Sequence, residues 1–183
     1  IPELPSAKRS RYAKDFGLSP YDARVLTDEA SMAIYFENVV NKGADPKIAS
    51  NWITGDIAAY VNANKLDYYN LPFRPYQLAE MLLMIQEGVI SGKIAKEIIP
   101  ELLQVGGSPK SIVNKRGLGM ISDSNILTSM VDEILTLHPD EVDSYRSGKK
   151  KLQGFFVGQL MKKTQGKADP KLLNQILLKK LNG

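Results

Sequence analysis

Apolar residues recur at three- and four-residue spacing along most of the chain, in stripes punctuated by glycine, proline and capping side chains. Such spacing predicts amphipathic helices. After a linker-like lead, Ser6 can cap a short basic helix from Ala7 to Asp15 that Gly17 ends. Ser19-Pro20, with Asp22 in the first turn, is a strong start for the next. Thr27, Asp28 and Glu29 open a third, over Ala30 to Lys42, with Met32, Tyr35, Phe36, Val39 and Val40 on one stripe and Gly43 at its end. Asp45-Pro46 caps a fourth, with Ile48, Ala49, Trp52, Ile53, Ile57, Tyr60 and Val61 inward; Trp52, the single tryptophan, is expected to pack in the core. The stretch LDYYNLPFRP interrupts the pattern and predicts a linker or docking loop. Its aromatics Tyr68, Tyr69 and Phe73 could stack on bases or pin the loop to its neighbours.

Helical spacing resumes at Pro75 to Glu87, ending at Gly88, and again from a Ser91 cap to Val105, where Pro100 should kink the helix. Ser108-Pro109 opens a short helix to Lys115. Gly117 to Ser122 predicts a turn, and Ser122 caps a helix with Ile126, Leu127, Met130, Val131, Ile134 and Leu135 inward. His138-Pro139 stops it, a short helix follows from Asp140 to Arg146, and Asp169-Pro170 caps the last, with Leu172, Leu173, Ile176, Leu177 and Leu181 inward. No segment sustains the period-two alternation of a half-buried strand. The expected architecture is all-α, with a helical module over 1–71 and a tail over 72–183 in two small sub-bundles, about 72–116 and 117–183.

Between those last helices lies KKKLQGFFVGQLMKKTQGK, read as an amphipathic helix from Lys149 to Gln165 with Leu152, Phe155, Phe156, Leu160 and Met161 on its apolar side and Gly166 as a left-handed cap. Gly154 and Gly158, four apart on one face, each cost about 1 kcal/mol against alanine. They can serve tight helix packing or leave bare backbone for a phosphate chain to approach, and spacing does not choose between the two.

Charge adds weight to the second use. The chain carries a net +4, but residues 140–183 hold ten basic and four acidic side chains, and the first 139 residues hold 14 and 16. A positive charge confined to one terminal module is the footprint of a surface that meets a polyanion, the competing reading being a solvated lysine-rich face. The candidate contact residues are Lys149, Lys150, Lys151, Gly154, Gly158, Lys162, Lys163 and Lys167, with phosphate contacts expected from Lys150, Lys151, Lys162, Lys163 and Lys167.

Candidate chemistry is sparse. No GxxxxGK[ST] or GxGxxG motif cradles phosphate, no cysteine is present, and His138 is the only histidine, placed to interact with a helix C-terminus. Histidine triads and Cys/His metal sites are excluded, and the carboxylates form no evident acid/base pair. The chain is expected to catalyse nothing and to hold no metal or cofactor itself. No apolar run approaches the ~20 residues of a membrane span. The opening IPELPSAKRSRY, without an initiator methionine, is expected to continue from something upstream.

Those opening residues, with GLSPYDARVLT, resemble the junction after the catalytic domain in the GatB family, the B subunits of aspartyl/glutamyl-tRNA amidotransferases. GADPKIASNWITGDI, GVISGKIAKEIIPELL and ISDSNILTSMVDEIL are similar to the family's helical and tail domains, as is YRSGKKKLQGFFVGQLMKKTQGKADPKLLNQILLKKL, the most specific segment. The tail also resembles free-standing YqeY proteins, which lack the module at 1–71. The resemblance implies a C-terminal portion of an enzyme that phosphorylates the side-chain carboxylate of Glu-tRNA(Gln) or Asp-tRNA(Asn) with ATP and Mg²⁺, then amidates it with ammonia from a partner amidase. It implies an upstream active site, an amidase and a small subunit as partners, a cytoplasmic or organellar setting, and a tail that meets the outer corner of tRNA. The alternatives at this stage are a module tethering the enzyme's subunits, or an independent YqeY-like protein.

Overall fold

A computed structural model describes residues 3–183. The helices are α1 (Pro5–Phe16), α2 (Pro20–Thr27), α3 (Ala30–Val40), α4 (Pro46–Trp52), α5 (Ala58–Ala63), α6 (Pro75–Gln86), α7 (Gly92–Val105), α8 (Pro109–Arg116), α9 (Ser124–Leu137), α10 (Pro139–Arg146), α11 (Leu152–Lys163) and α12 (Pro170–Asn182). A π-helical turn, Ile53–Ile57, joins α4 to α5. The fold is all-α: among the described residues the one β pairing is a parallel bridge between Ile121 and Ala168. Among them, too, no helix is long and apolar enough to cross a membrane.

Local signals place most of the starts. The side chains of Ser19, Asp45 and Asp169 accept backbone N–H bonds in the first turns of α2, α4 and α12, and each is followed by proline at the first helical position, whose missing N–H would be unpaired anyway. Four starts differ from the sequence reading. Helix α10 opens at Pro139, one residue before Asp140. Pro5 opens α1 after an extended Leu4 with no side-chain cap, so Ser6 lies inside the helix. Asp123, not Ser122, caps α9, its Oδ1 accepting from Asn125 N and Ile126 N. Lys149, Lys150 and Lys151 form a turn, and α11 proper begins at Leu152. Helix α7 continues through Pro100, which lies exposed.

The chain forms two compact units. The first comprises the residues through Glu87 together with Ala95–Arg116. Its core includes Tyr12, Leu26, Phe36, Ile53, Ile57, Leu78 and Leu82. The stretch around Leu71, where the sequence suggests a boundary, lies within this unit: Leu71 and Phe73 are fully buried, and Tyr35 Oη donates to Phe73 O at 2.7 Å. Tyr68 is buried as well, whereas Tyr69 is exposed. Gly106, with φ +71°, follows α7 so closely on this loop that a Cβ would stand 2.7 Å from Pro72 O. Trp52 is only half-buried and carries the Lys96 ammonium over its ring at 5.4 Å.

The second unit comprises Gly88–Ile94 and Gly117–Gly183. Helices α9 to α12 close on a core of Leu127, Val131, Tyr145, Phe156, Leu160, Leu173, Leu177 and Leu181. Segment 88–94 joins it through Met120 N donating to Val89 O at 2.7 Å, beside Ile121 N donating to Lys167 O and Asp169 N donating to Ile121 O.

Candidate nucleic-acid interface

Helix α11 is anchored by its apolar side. Phe156 and Leu160 are completely buried and Thr164 nearly so, Thr164 Oγ1 donating back to Leu160 O at 2.9 Å. At roughly 3.6 residues per turn, the positions opposite that stripe are Lys151, Gly154, Gly158 and Lys162. All four are exposed.

Here the structure answers what spacing could not. A Cβ placed on Gly154 or on Gly158 would meet no heavy atom within 4 Å. Among the described residues of this unit, no helix uses the glycines for close packing, and the backbone they bare is open. The stripe is about 16 Å of helix axis, with a lysine at each end and two residues of naked backbone between.

The charges around it are not equivalent. The ion pairs among the described residues of this unit are Lys163 with Glu133 and Lys180 with Asp132. Lys149, Lys151, Lys162 and Lys167 are thereby left without a carboxylate partner. Lys150 has its Nζ 4.1 Å from the centre of the buried Tyr145 ring, a cation–π contact that holds the ammonium against the protein. The expected site thus divides. Lys151, Lys162 and the two glycines share one exposed face, Lys149 and Lys167 flank its ends, and Lys150 and Lys163 are engaged elsewhere.

The N-terminal end of α11 is electropositive twice over. No acidic residue occupies its first turn, and no side chain caps it. The helix dipole places partial positive charge there, where a lysine costs typically about 0.3–1 kcal/mol and an anion is favoured. Lys149, Lys150 and Lys151 stand at that end. At the other end Gln165 (φ +54°) and Gly166 (φ +75°) are both left-handed, and Gly166 N bonds Met161 O at 2.8 Å.

Charge separates along the same lines. The second unit holds 11 basic and 7 acidic side chains and the first 13 of each, so the chain's net +4 belongs to the unit that carries α11. Sequence reasoning missed Glu133, which lies 30 residues from its partner Lys163; a helical spacing rule does not reach that far. His138 packs edge-on against Phe155, ring centres 5.0 Å apart, with Glu141 3.8 Å from its Nδ1.

Comparison with known proteins decides the family. A profile described as "GatB domain" matches residues 34–181. The chain belongs to the GatB family. It is similar to the B subunit of the aspartyl/glutamyl-tRNA(Asn/Gln) amidotransferase of Synechococcus sp. (strain WH7803), 72% identical over all 183 residues. The proteins of that name from Parasynechococcus marenigrum and Prochlorococcus marinus are each 70% identical over the same length. In all three cases the match covers the whole of this chain and 37% of the relative, so the chain spans a little over a third of the relatives' length.

Proposed function

We propose that this chain is the tRNA-gripping portion of a GatB protein of an aspartyl/glutamyl-tRNA amidotransferase, and that it supplies binding rather than chemistry. The observation that carries the reading is the exposed Lys151–Gly154–Gly158–Lys162 face, with open space over both glycines. A backbone that no described residue of this unit covers, between unpaired lysines, suits a sugar–phosphate chain that must come close without meeting side chains. Folded RNA is held mostly through shape, phosphates and 2′-hydroxyls, which is the recognition such a face can perform. On this reading Lys149, Lys151, Lys162 and Lys167 neutralise phosphates directly. Lys150 leaves Tyr145, and Lys163 leaves Glu133, when RNA arrives.

The relatives' name supports, for the whole protein, a part in the conversion of Asp-tRNA(Asn) and Glu-tRNA(Gln) to their amides. We assign carboxylate activation with ATP and Mg²⁺ to the remaining two thirds of the relatives' length. The amidase and small subunit are then partners of the whole protein, in the cytoplasm.

The test is direct. The chain should shift tRNA in a mobility assay at low salt, and Lys151→Glu with Lys162→Glu should abolish the shift. If the chain captures the partner amidase but shifts no tRNA at any salt concentration, it is a tethering module instead.

A further inference from the structure

We infer that Lys93, about 60 residues before α11, is a phosphate-contacting residue that extends the basic face past the C-terminal end of that helix. The inference rests on the tRNA-gripping reading of α11.

Three observations lead to it. First, the fold brings Lys93 to α11. Segment 88–94 is tied into the second unit by the Met120 N to Val89 O bond, with Ile90 and Ile94 buried. Lys93 then lies along the helix's terminal glycine: its Nζ, Cδ and Cε stand 3.4, 3.7 and 3.9 Å from where a Cβ of Gly166 would be. Second, Lys93 is exposed, and the ion pairs among the described residues of the unit leave it no carboxylate. Third, it occupies the first turn of α7, which carries no acidic residue, and the dipole of that helix disfavours a cation there. The side chain is rooted at the electropositive start of α7 and lays its ammonium beside the C-terminal end of α11, whose partial negative charge favours a cation; exposed and without a carboxylate, an ammonium held there is placed for an external anion.

The consequence is a direction. Lys151 and Lys162 lie along the exposed face of α11, Lys93 stands against Gly166, and Lys167 follows that glycine in the chain. Phosphates following the α11 axis from its first turn would meet a cation at the start, at the end and past the end.

The experiment measures tRNA binding by the full chain between about 50 and 200 mM salt for wild type, Lys93→Gln and Lys93→Arg, with thermal melting of each. Each phosphate neutralised adds about 0.9 to the slope of log affinity against log salt, which over this fourfold range is roughly a 3.5-fold change. Lys93→Gln should lower the slope by about that amount and bind more weakly at the low-salt end, Lys93→Arg should retain both, and all three should melt together. An unchanged slope for Lys93→Gln, beside wild-type binding that falls with salt, overturns the role of Lys93 and leaves the α11 reading standing. An earlier melt for Lys93→Gln, with the slope intact, overturns it in favour of a structural contact at Gly166. Wild-type chain that binds no tRNA overturns both.

Discussion

The glycine face makes a prediction in which stability and binding move in opposite directions. Gly154 and Gly158 lie inside α11 with ordinary helical φ, and a methyl on either meets nothing within 4 Å. Replacing both with alanine removes the backbone entropy that glycine loses on folding, a gain of about 0.5–1 kcal/mol per site. The double variant should therefore be more stable by about 1–2 kcal/mol, a rise of several degrees in Tm for a chain of this size. Binding should fall, because each Cβ stands some 1.5 Å out from the backbone. Moving a phosphate from about 4 to 5.5 Å from a lysine ammonium, at an effective dielectric constant near 20, loses about 1 kcal/mol, or roughly fivefold in affinity. Thermal unfolding and a tRNA titration on one preparation give both numbers. A lower Tm would show that something covers the glycines, and a higher Tm with undiminished affinity would show that RNA does not approach them.

Other consequences follow from single contacts. Glu133→Gln releases Lys163 from an exposed pair worth at most about 1 kcal/mol, so stability should hardly change while tRNA affinity rises; unchanged affinity would place Lys163 outside the footprint. Gly106→Ala forces a left-handed backbone, about 1–2 kcal/mol, and drives a methyl towards Pro72 O, so denaturant unfolding should show a loss above about 2 kcal/mol; a neutral result would contradict the close approach of that loop. Glu37 should confer acid lability. Burial pushes its carboxyl up, but hydrogen bonds from Arg11 Nη2 at 2.7 Å and Tyr12 Oη at 2.8 Å, with the Lys8 and Arg11 charges, hold it below the ordinary value. Its contribution is thus full above the unfolded pKa of about 4.3 and lost as pH falls through the lower folded value. Glu37→Gln should flatten the stability curve of the first unit in that range, and an acid limb as steep as wild type's would refute the assignment.

What the sequence disclosed was local. Ser19, Asp45 and Asp169 announce their helices because a cap and a proline act within four residues. The Phe156 and Leu160 stripe is legible for the same reason: one helical period decides it. The cap of α9 falls one residue later than the sequence suggests because Ser122 and Asp123 are both competent acceptors, and the pairing of Ile121 with Ala168 fixes which residue begins the turn. The π-helical turn at Ile53–Ile57 leaves no mark, since its two isoleucines keep an ordinary four-residue spacing. Gly154 and Gly158 are ambiguous in principle, because a buried and a bare glycine face have the same spacing; only the positions of the other helices distinguish them. Glu133 beside Lys163 and Lys93 against Gly166 are tertiary facts, and Lys150 reaches Tyr145 only through the turn at Gly148 (φ +115°); without these contacts the eight candidates look interchangeable.

The central claim is that Lys151 and Lys162, at the two ends of an uncovered glycine backbone, meet RNA phosphates. It is tested most directly by the salt dependence of tRNA binding for wild type and for Lys151→Gln with Lys162→Gln. Two lost phosphate contacts should make the slope of log affinity against log salt shallower by about 1.8, with melting unchanged. A slope equal to wild type's would contradict the claim.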